Sequence, residues 1–515
     1  MIAPVVSATG MQQTGPNTRS ADNSVEAPSR SSRLPAGQML VSTSSSMQLL
    51  DRGRQAIIDF RLHDAERSFT SLANLPDGRP AGLFHLAMVS FFRFLMSDSE
   101  ADRFEFEQRS GELKRELDRL PDSPWRALLG AEMNLQRAVV RAKIGKYVRA
   151  ALAARTAYQE YDRIVREYPS LYDGQKGYGL LKLAIGSMPG TYRRFLSLIG
   201  FKGSVEDGLA ALDTAARKGN FSREEATAFV ALSHILLLEP VNGIKGLERL
   251  HTDYPESALF THLYGYVLFE NRNAAEAEEL FRWVVDREAD HEYFFIDYAQ
   301  YFLGMSLFRL NEFAEAEYHL GEYVRKHQGQ ALDAPATLHL AMSIEMQGRR
   351  MEAVSLYKQV QSDREFDLDA VSKRKAADLL REPLVGVVRA LQTAANSFDA
   401  GKYEAATDVL VPLSRDQALS SEYRSEAYYR LGRVYHVTNA PDSALVAYRE
   451  AVNLRSEARS RWAPWSEYYM GRIHEDRGAV DAAIAAYRRA TEYGGKYDYY
   501  QALNNNARLG LQRLK

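Results

Sequence analysis

The 515-residue chain contains no cysteine. Structural disulfides, thiolate zinc sites, iron–sulfur clusters, a cysteine nucleophile and cysteine lipidation are therefore excluded, while the redox compartment stays open. Long apolar runs are lacking too. The richest stretch, Gly82–Met96, is broken by His85 and Arg93 and falls short of the roughly 18 apolar residues a membrane helix needs. Neither charge is in excess: a formal net charge of −2 gives no global field for nucleic acid or an anionic membrane. Signatures of chemistry are missing as well. No H-E-x-x-H or G-x-S-x-G occurs, and His291-Glu292 has no second histidine at the required spacing. Gly494-Gly495-Lys496 lacks the earlier glycine of a phosphate loop and reads as a helix stop. Gly177-x-Gly179 has no strand before it, so tight helix packing explains it better than a dinucleotide site. The run Asp363-x-Glu365-x-Asp367-x-Asp369 opens like a calcium loop, but Leu368 replaces the turn glycine and Arg374 holds the twelfth position. No cofactor and no metal is expected, and an enzyme reading has no anchor.

What is present is helical periodicity. Met1–Ser46 is rich in Ser, Pro, Thr, Asn and Gly and reads as a disordered tail. From Met47 onward small residues recur at one spacing. In Phe260–Val284, Gly265 is followed twelve residues later by Ala277, then by Phe281 and Val284. Two antiparallel helices pack closely only where Gly or Ala sits at the nearest approach, and the following large residues fill the space between hairpins. The same spacing joins Gly53 to Ala65, Gly304 to Ala316, Ala341 to Ala353, Ala394 to Ala406, Gly432 to Ala444 and Gly471 to Ala483. This is the spacing of tetratricopeptide repeats. The predicted fold is an all-α solenoid of helical hairpins forming a right-handed superhelix. Residues 47–382 form an N-terminal block with clear repeats over 256–360. Residues 383–515 form a C-terminal block closed by a capping helix whose Asn504-Asn505-Asn506 suit an exposed end. Gln361–Glu382 is the expected break.

Residues 174–212 interrupt the regular pattern. Gly177, Gly179, Leu181, Met188-Pro189, Phe195-Leu196, Gly200-Phe201, Gly203 and Gly208-Leu209 resemble the core signature of the tetratricopeptide repeat protein 39 family and its inclusion-body-clearance relatives. Gly190 and Ser204 depart from it, standing where that family has a second proline and an acidic residue. The resemblance implies a non-enzymatic helical-repeat adaptor with no catalytic residues to carry over. Ser204 is also a plausible N-cap, with Asp207 in the first turn after it.

In tetratricopeptide repeats, first-helix positions three before the small residue, and one and four after it, line the concave groove. Carried over, they give His262, Tyr266 and Phe269; Tyr301, Met305 and Phe308; Leu338, Met342 and Glu345; Tyr429, Arg433 and His436; and Tyr468, Arg472 and Glu475. The candidate peptide-binding residues are Tyr301, Met305 and Phe308 for an apolar segment, and Tyr429, Arg433, His436, Tyr468 and Arg472 for an acidic or carboxylate-terminated one. The competing reading packs these side chains against an adjacent superhelical turn or a second copy. The expected function is a non-enzymatic scaffold binding a protein or peptide. An RNA-reading repeat is the alternative, disfavoured by the near-zero net charge. Homo-oligomerisation stays open. A cytoplasmic location is favoured, because a periplasmic or secreted one needs a signal peptide upstream of Met1.

Overall fold

The computed structural model describes residues 40–187, 200–236, 240–287, 296–327, 332–360, 367–454, 460–494 and 497–514. These residues form 24 α-helices, with no strand among the described residues. They pair in order: α1 (Ser44–Ile58) with α2 (Leu62–Ala73), α3 (Arg79–Ser97) with α4 (Glu100–Leu117), and α5 (Pro124–Lys143) with α6 (Tyr147–Glu167). Next come α7 (Gly174–Gly186) with α8 (Val205–Lys218), α9 (Arg223–Leu236) with α10 (Pro240–Asp253), and α11 (Ala258–Glu270) with α12 (Ala274–Asp286). Then follow α13 (Ile296–Arg309) with α14 (Phe313–Lys326) and α15 (Asp333–Met346) with α16 (Arg350–Tyr357). A single helix, α17 (Asp367–Arg381), interrupts the pairing before α18 (Gly386–Asp399) with α19 (Tyr403–Arg415), α20 (Ser421–Val437) with α21 (Pro441–Asn453), and α22 (Trp462–Asp476) with α23 (Val480–Glu492). The last helix is α24 (Tyr500–Arg513).

One register accounts for seven hairpins. Gly53, Gly265, Gly304, Ala341, Ala394, Gly432 and Gly471 are buried, and each partner alanine twelve residues on has no exposed surface. Sixteen residues after each small residue, a large side chain fills the seam: Phe69, Phe281, Leu320, Tyr357, Leu410, Tyr448 and Tyr487 are all at most 2% exposed. A Cβ on Gly432 would lie 2.4 Å from the Tyr448 ring, so the close approach admits no side chain there. Seven residues after each small residue the backbone turns left-handed, at Phe60, Arg272, Asn311, Gly348, Gly401, Asn439 and Gly478, with φ from 59° to 87°. The next amide donates back to a carbonyl at 2.7–3.3 Å, as from Asn273 to Leu268 and from Ala440 to Tyr435, closing the first helix in a Schellman turn.

The fold begins earlier than the polar composition predicts. Val41 is buried, Thr43 caps α1, and Ser42, Thr43 and Ser46 all donate to the Asp77 carboxylate at 2.7–3.0 Å. Asn504, expected on an exposed end, is buried and donates to the Tyr500 carbonyl. Helix α3 is long and apolar enough by composition to cross a membrane, yet most of it is buried in the fold. Its Arg93 is held by Glu66 at 2.6 Å and its His85 stacks on Phe69 at 4.5 Å. These are the contacts of a core helix.

Hairpins far apart in sequence also touch. Arg54 of α1 donates to the Phe221 carbonyl at 3.0 Å, and the Ser257 hydroxyl donates to the Ile58 carbonyl. Helix α13 packs on both α3 and α18, and the Asn396 amide donates to the Phe308 carbonyl at 2.9 Å and the Asn311 side chain at 3.0 Å. The array therefore coils tightly enough for successive turns to meet.

The segment resembling the protein 39 family is a knot of backbone contacts. Gly177 and Gly179 lie in α7, and a Cβ on Gly177 would sit 2.0 Å from the buried Tyr161 ring. Gly179 and Gly208 let α7 and α8 meet backbone to backbone. Ser204 caps α8 by accepting the Asp207 amide at 3.0 Å. Met188-Pro189, Gly190 and Phe195-Leu196 lie outside the described residues, as do Asp363, Glu365 and Gly495-Lys496. Gly177→Ala is expected to cost about 1–3 kcal/mol by overpacking, read as a lower urea midpoint. Gly111→Ala in α4, whose nearest neighbour is the tip of Arg115 at 3.9 Å, is expected to leave the midpoint unchanged or slightly raised.

Candidate partner-binding face

The mid-array residues expected to line a groove form core instead. Tyr301, Met305 and Phe308 are 5%, 8% and 2% exposed. The Tyr301 ring packs 5.4 Å from Tyr323, and the Phe308 ring 5.1 Å from His339. At the Phe308 end the neighbouring superhelical turn closes the face, since α18 lies against α13 and Asn396 bonds the Phe308 carbonyl, while Tyr301 packs within its own hairpin. In the C-terminal units Tyr429, Arg433 and Tyr468 are buried too. Tyr429 stacks among Trp462, Tyr448 and Tyr469, and Tyr468 among Trp465, Tyr469 and Tyr487. These rings form a floor; His436 and Arg472 stay half-buried above it.

Three guanidiniums from three hairpins gather on that floor. Arg433 lies over the Tyr469 ring at 4.2 Å and faces Phe398 at 5.3 Å. Arg272 reaches the same Phe398 ring at 4.6 Å from the turn between α11 and α12. Arg472 comes from α22. All three act on His436. Burial first, then Arg433, Arg472 and Arg272, push its imidazole down to about 4, so it is neutral at pH 7.

A second group of cations adjoins them. Lys375 of α17 is half-buried, and its ammonium is pushed down by burial and by Arg461 and Arg430, with Glu426 and Asp378 opposing. Arg430 is held by Glu426 at 2.5 Å. Arg461 lies over Trp462 at 4.6 Å and Tyr499 at 5.3 Å. Arg374 bonds Asp498 at 2.7 Å, tying α17 to the C-terminal end. Lys375, Arg430 and Arg461 face Glu426, Asp378 and Asp498, while Arg272, Arg433 and Arg472 face Asp399 and Asp476. Guanidiniums held on aromatic faces are preorganised to take carboxylates two bonds at a time. At the edge, Glu475 is occupied by Arg513 through bonds of 2.8 and 2.9 Å.

Arg272, Lys375 and Arg461 were not among the residues picked out by the groove spacing. For Arg272 a sequence mark exists. It occupies the left-handed turn position that Gly or Asn fills in every other unit but the first, and a non-glycine residue held there costs on the order of 1 kcal/mol. Among the described residues no group of His, Asp and Glu is placed to hold a metal ion.

Residues 174–294 match the Iml2/Tetratricopeptide repeat protein 39 family, and residues 425–457 match the tetratricopeptide repeat. No match is found among curated proteins. Solved structures that overlay include the apo form of RapI, with a TM-score of 0.38 and 12% identity over 72% of this chain and 97% of that one. The APC/C hetero-tetramer Cut9-Hcn1 gives 0.29 and 14% identity over 91% and 97%. A Rap protein complexed with competence and sporulation factor gives 0.35 and 12% over 80% and 98%. Nothing about function follows from overlays at this level. The chain is a tetratricopeptide-repeat protein that resembles the Iml2/Tetratricopeptide repeat protein 39 family, an architecture of protein-interaction scaffolds.

Proposed function

We propose that this tetratricopeptide-repeat chain is a non-enzymatic adaptor that takes an acidic or carboxylate-terminated partner segment on the cationic face of its C-terminal half. The observation that carries the reading is the placement of Arg272 and Arg433 on one Phe398 ring, at 4.6 and 5.3 Å, with Arg472 acting beside them on His436. Arg272 and Arg433 share the Phe398 ring, Arg433 pushes the Arg272 guanidinium down, and a carboxylate-bearing ligand relieves that opposition. His436 stays neutral among them and serves as a hydrogen-bonding group. The strained turn at Arg272 fits the same reading, since a costly backbone conformation places its guanidinium over Phe398. The RNA alternative needs exposed rings for base stacking, and Tyr429 and Tyr468 are buried.

Fluorescence anisotropy with a labelled peptide ending in consecutive Asp and Glu residues tests the proposal. Arg272→Gly combined with Arg472→Gln is expected to weaken binding roughly tenfold to a hundredfold, the loss of two charge-assisted contacts. Glycine is the ordinary residue at that turn, so the fold is expected to survive. Equal affinity in wild type and variant contradicts the assignment.

A further inference from the structure

A second surface lies on the N-terminal block, well separated in sequence from the cationic face. Helix α4 and the hairpin of α5 and α6 are only loosely packed together and leave a cleft of about 340 Å³. Its floor is apolar, made by Phe106, Val140 and Ile144, and its walls are Arg137, Arg141, Lys146 and Arg149. Among the described residues none of these four cations is ion-paired to a carboxylate. Arg137 donates to the Ser110 hydroxyl at 3.2 Å, and Arg141 to the Arg149 carbonyl at 3.4 Å. Burial and the neighbouring Arg141 push the Arg137 guanidinium down, a sign that its charge is poorly compensated. The one acid in the lining, Glu107, already takes Arg103 at 2.7 Å, and Glu100, which feels the Lys146 charge, is held by Arg103 as well. Beside the cleft, the first turns of α6 expose Tyr147, Val148 and Leu152 at 68%, 77% and 60%.

Large apolar side chains this exposed, next to each other on one helix, are rare without a partner. Uncompensated arginines beside them set the partner's chemistry. We infer that this cleft and the adjoining face of α6 dock an amphipathic helix of a partner protein that carries carboxylates along one side and apolar residues along the other. Its acidic side meets Arg137, Arg141, Lys146 and Arg149, and its apolar side covers Tyr147, Val148 and Leu152. The chain's own first 39 residues do not suit the site. They carry Arg19, Arg30 and Arg33 against Asp22 and Glu26 and so bring no acidic excess. A nucleic acid would match the arginines but leave the three apolar side chains uncovered.

The probe is a labelled synthetic helix with Glu on one face and Leu on the other, titrated into the full chain. Lys146→Glu with Arg149→Glu, both at exposed positions, is expected to weaken its binding by roughly tenfold or more, and Val148→Ser with Leu152→Ser to do the same. Arg272→Gly with Arg472→Gln is expected to leave it unchanged, which separates this site from the cationic face. Hydrogen-exchange protection by the probe is expected over 104–110 and 137–152. Binding unchanged in both cleft variants overturns the inference. Equal capture of the Ser-for-Leu helix or of a mixed RNA also overturns it, because the surface is then a general anion site.

Discussion

Acidification from pH 7 to pH 5 is expected to lower the thermal unfolding midpoint by roughly 2–5 °C, through buried histidines. His85 and His262 are 5% and 6% exposed, and burial pushes their imidazoles down to about 4 and about 3. His339 and His436 are pushed down to about 4 and keep some solvent-facing surface, so each contributes less. Arg54 and Lys176 face His85 with Glu225 opposing, Arg309 and Lys375 face His339, and three guanidiniums face His436. His85 and His339 donate from Nδ1 to the carbonyls of Ala81 and Pro335 at 2.8 and 2.7 Å, bonds that the neutral ring already makes. Each group therefore binds its proton more weakly in the folded state than in the unfolded one. Between the unfolded value near 6.5 and the folded value near 4 the unfolded chain holds more protons, so stability falls as pH falls. Each fully buried ring contributes about 2 kcal/mol of that loss at pH 5. Glu132 and Glu270, pushed up chiefly by burial, act in the opposite sense and remove part of it. Circular dichroism melts across this range check the result, and His85→Gln is expected to flatten the slope. A midpoint that holds or rises down to pH 5 contradicts the account of the core.

Lys176→Met is expected to remove about 3–5 kcal/mol of stability, among the largest single-residue effects in the fold. Lys176 Nζ lies 3.0 Å from Glu132 and 2.5 Å from Glu225, where the lysine and Glu132 side chains are 8% and 10% exposed. Burial penalises the ammonium, but the two carboxylates outweigh it and hold the lysine charged, with its affinity for protons raised. Glu132 is pushed up instead, because burial outweighs the attraction of Lys176. Removing the lysine leaves two carboxylates facing one another without a cation, and one of them must take up a proton or draw in water. Lys176→Met combined with Glu132→Leu is expected to recover a large share of the loss, since an apolar pair of similar volume avoids the desolvation cost. Urea unfolding of the two variants decides the point; a single variant as stable as wild type contradicts the role given to the ion triad.

The repeats were legible because their physics is local. A small residue, a second one twelve positions on and a large side chain after that all lie within one hairpin, and the structure buries each at the expected place. Gly177 and Gly179 read correctly as packing residues for the same reason: Gly177 answers to Tyr161 in the preceding hairpin. What failed to show in the sequence depends on separations no local pattern encodes. Tyr301, Met305 and Phe308 sit at groove positions of their own hairpin and are buried, and α18 reaches the Phe308 end from some 85 residues away. Lys176 finds its partners at 132 and 225, and Asp77 gathers three hydroxyl residues more than 30 positions earlier. Arg272 stood at a turn position where its type is unusual, a mark visible only once the seven units are aligned by their left-handed residue.

Zero-length carbodiimide crosslinking of the chain to its native partner, read by mass spectrometry, tests the cationic face most directly. The chain has few lysines, and Lys375 lies among the inward arginines with its ammonium pushed down, hence reactive toward an activated carboxylate. The account predicts an amide bond between Lys375 and an Asp, a Glu or the terminal carboxylate of the partner, lost when Arg272→Gly and Arg472→Gln are combined. Crosslinks from a bound partner that leave Lys375 unmodified and fall only on outer lysines would contradict it.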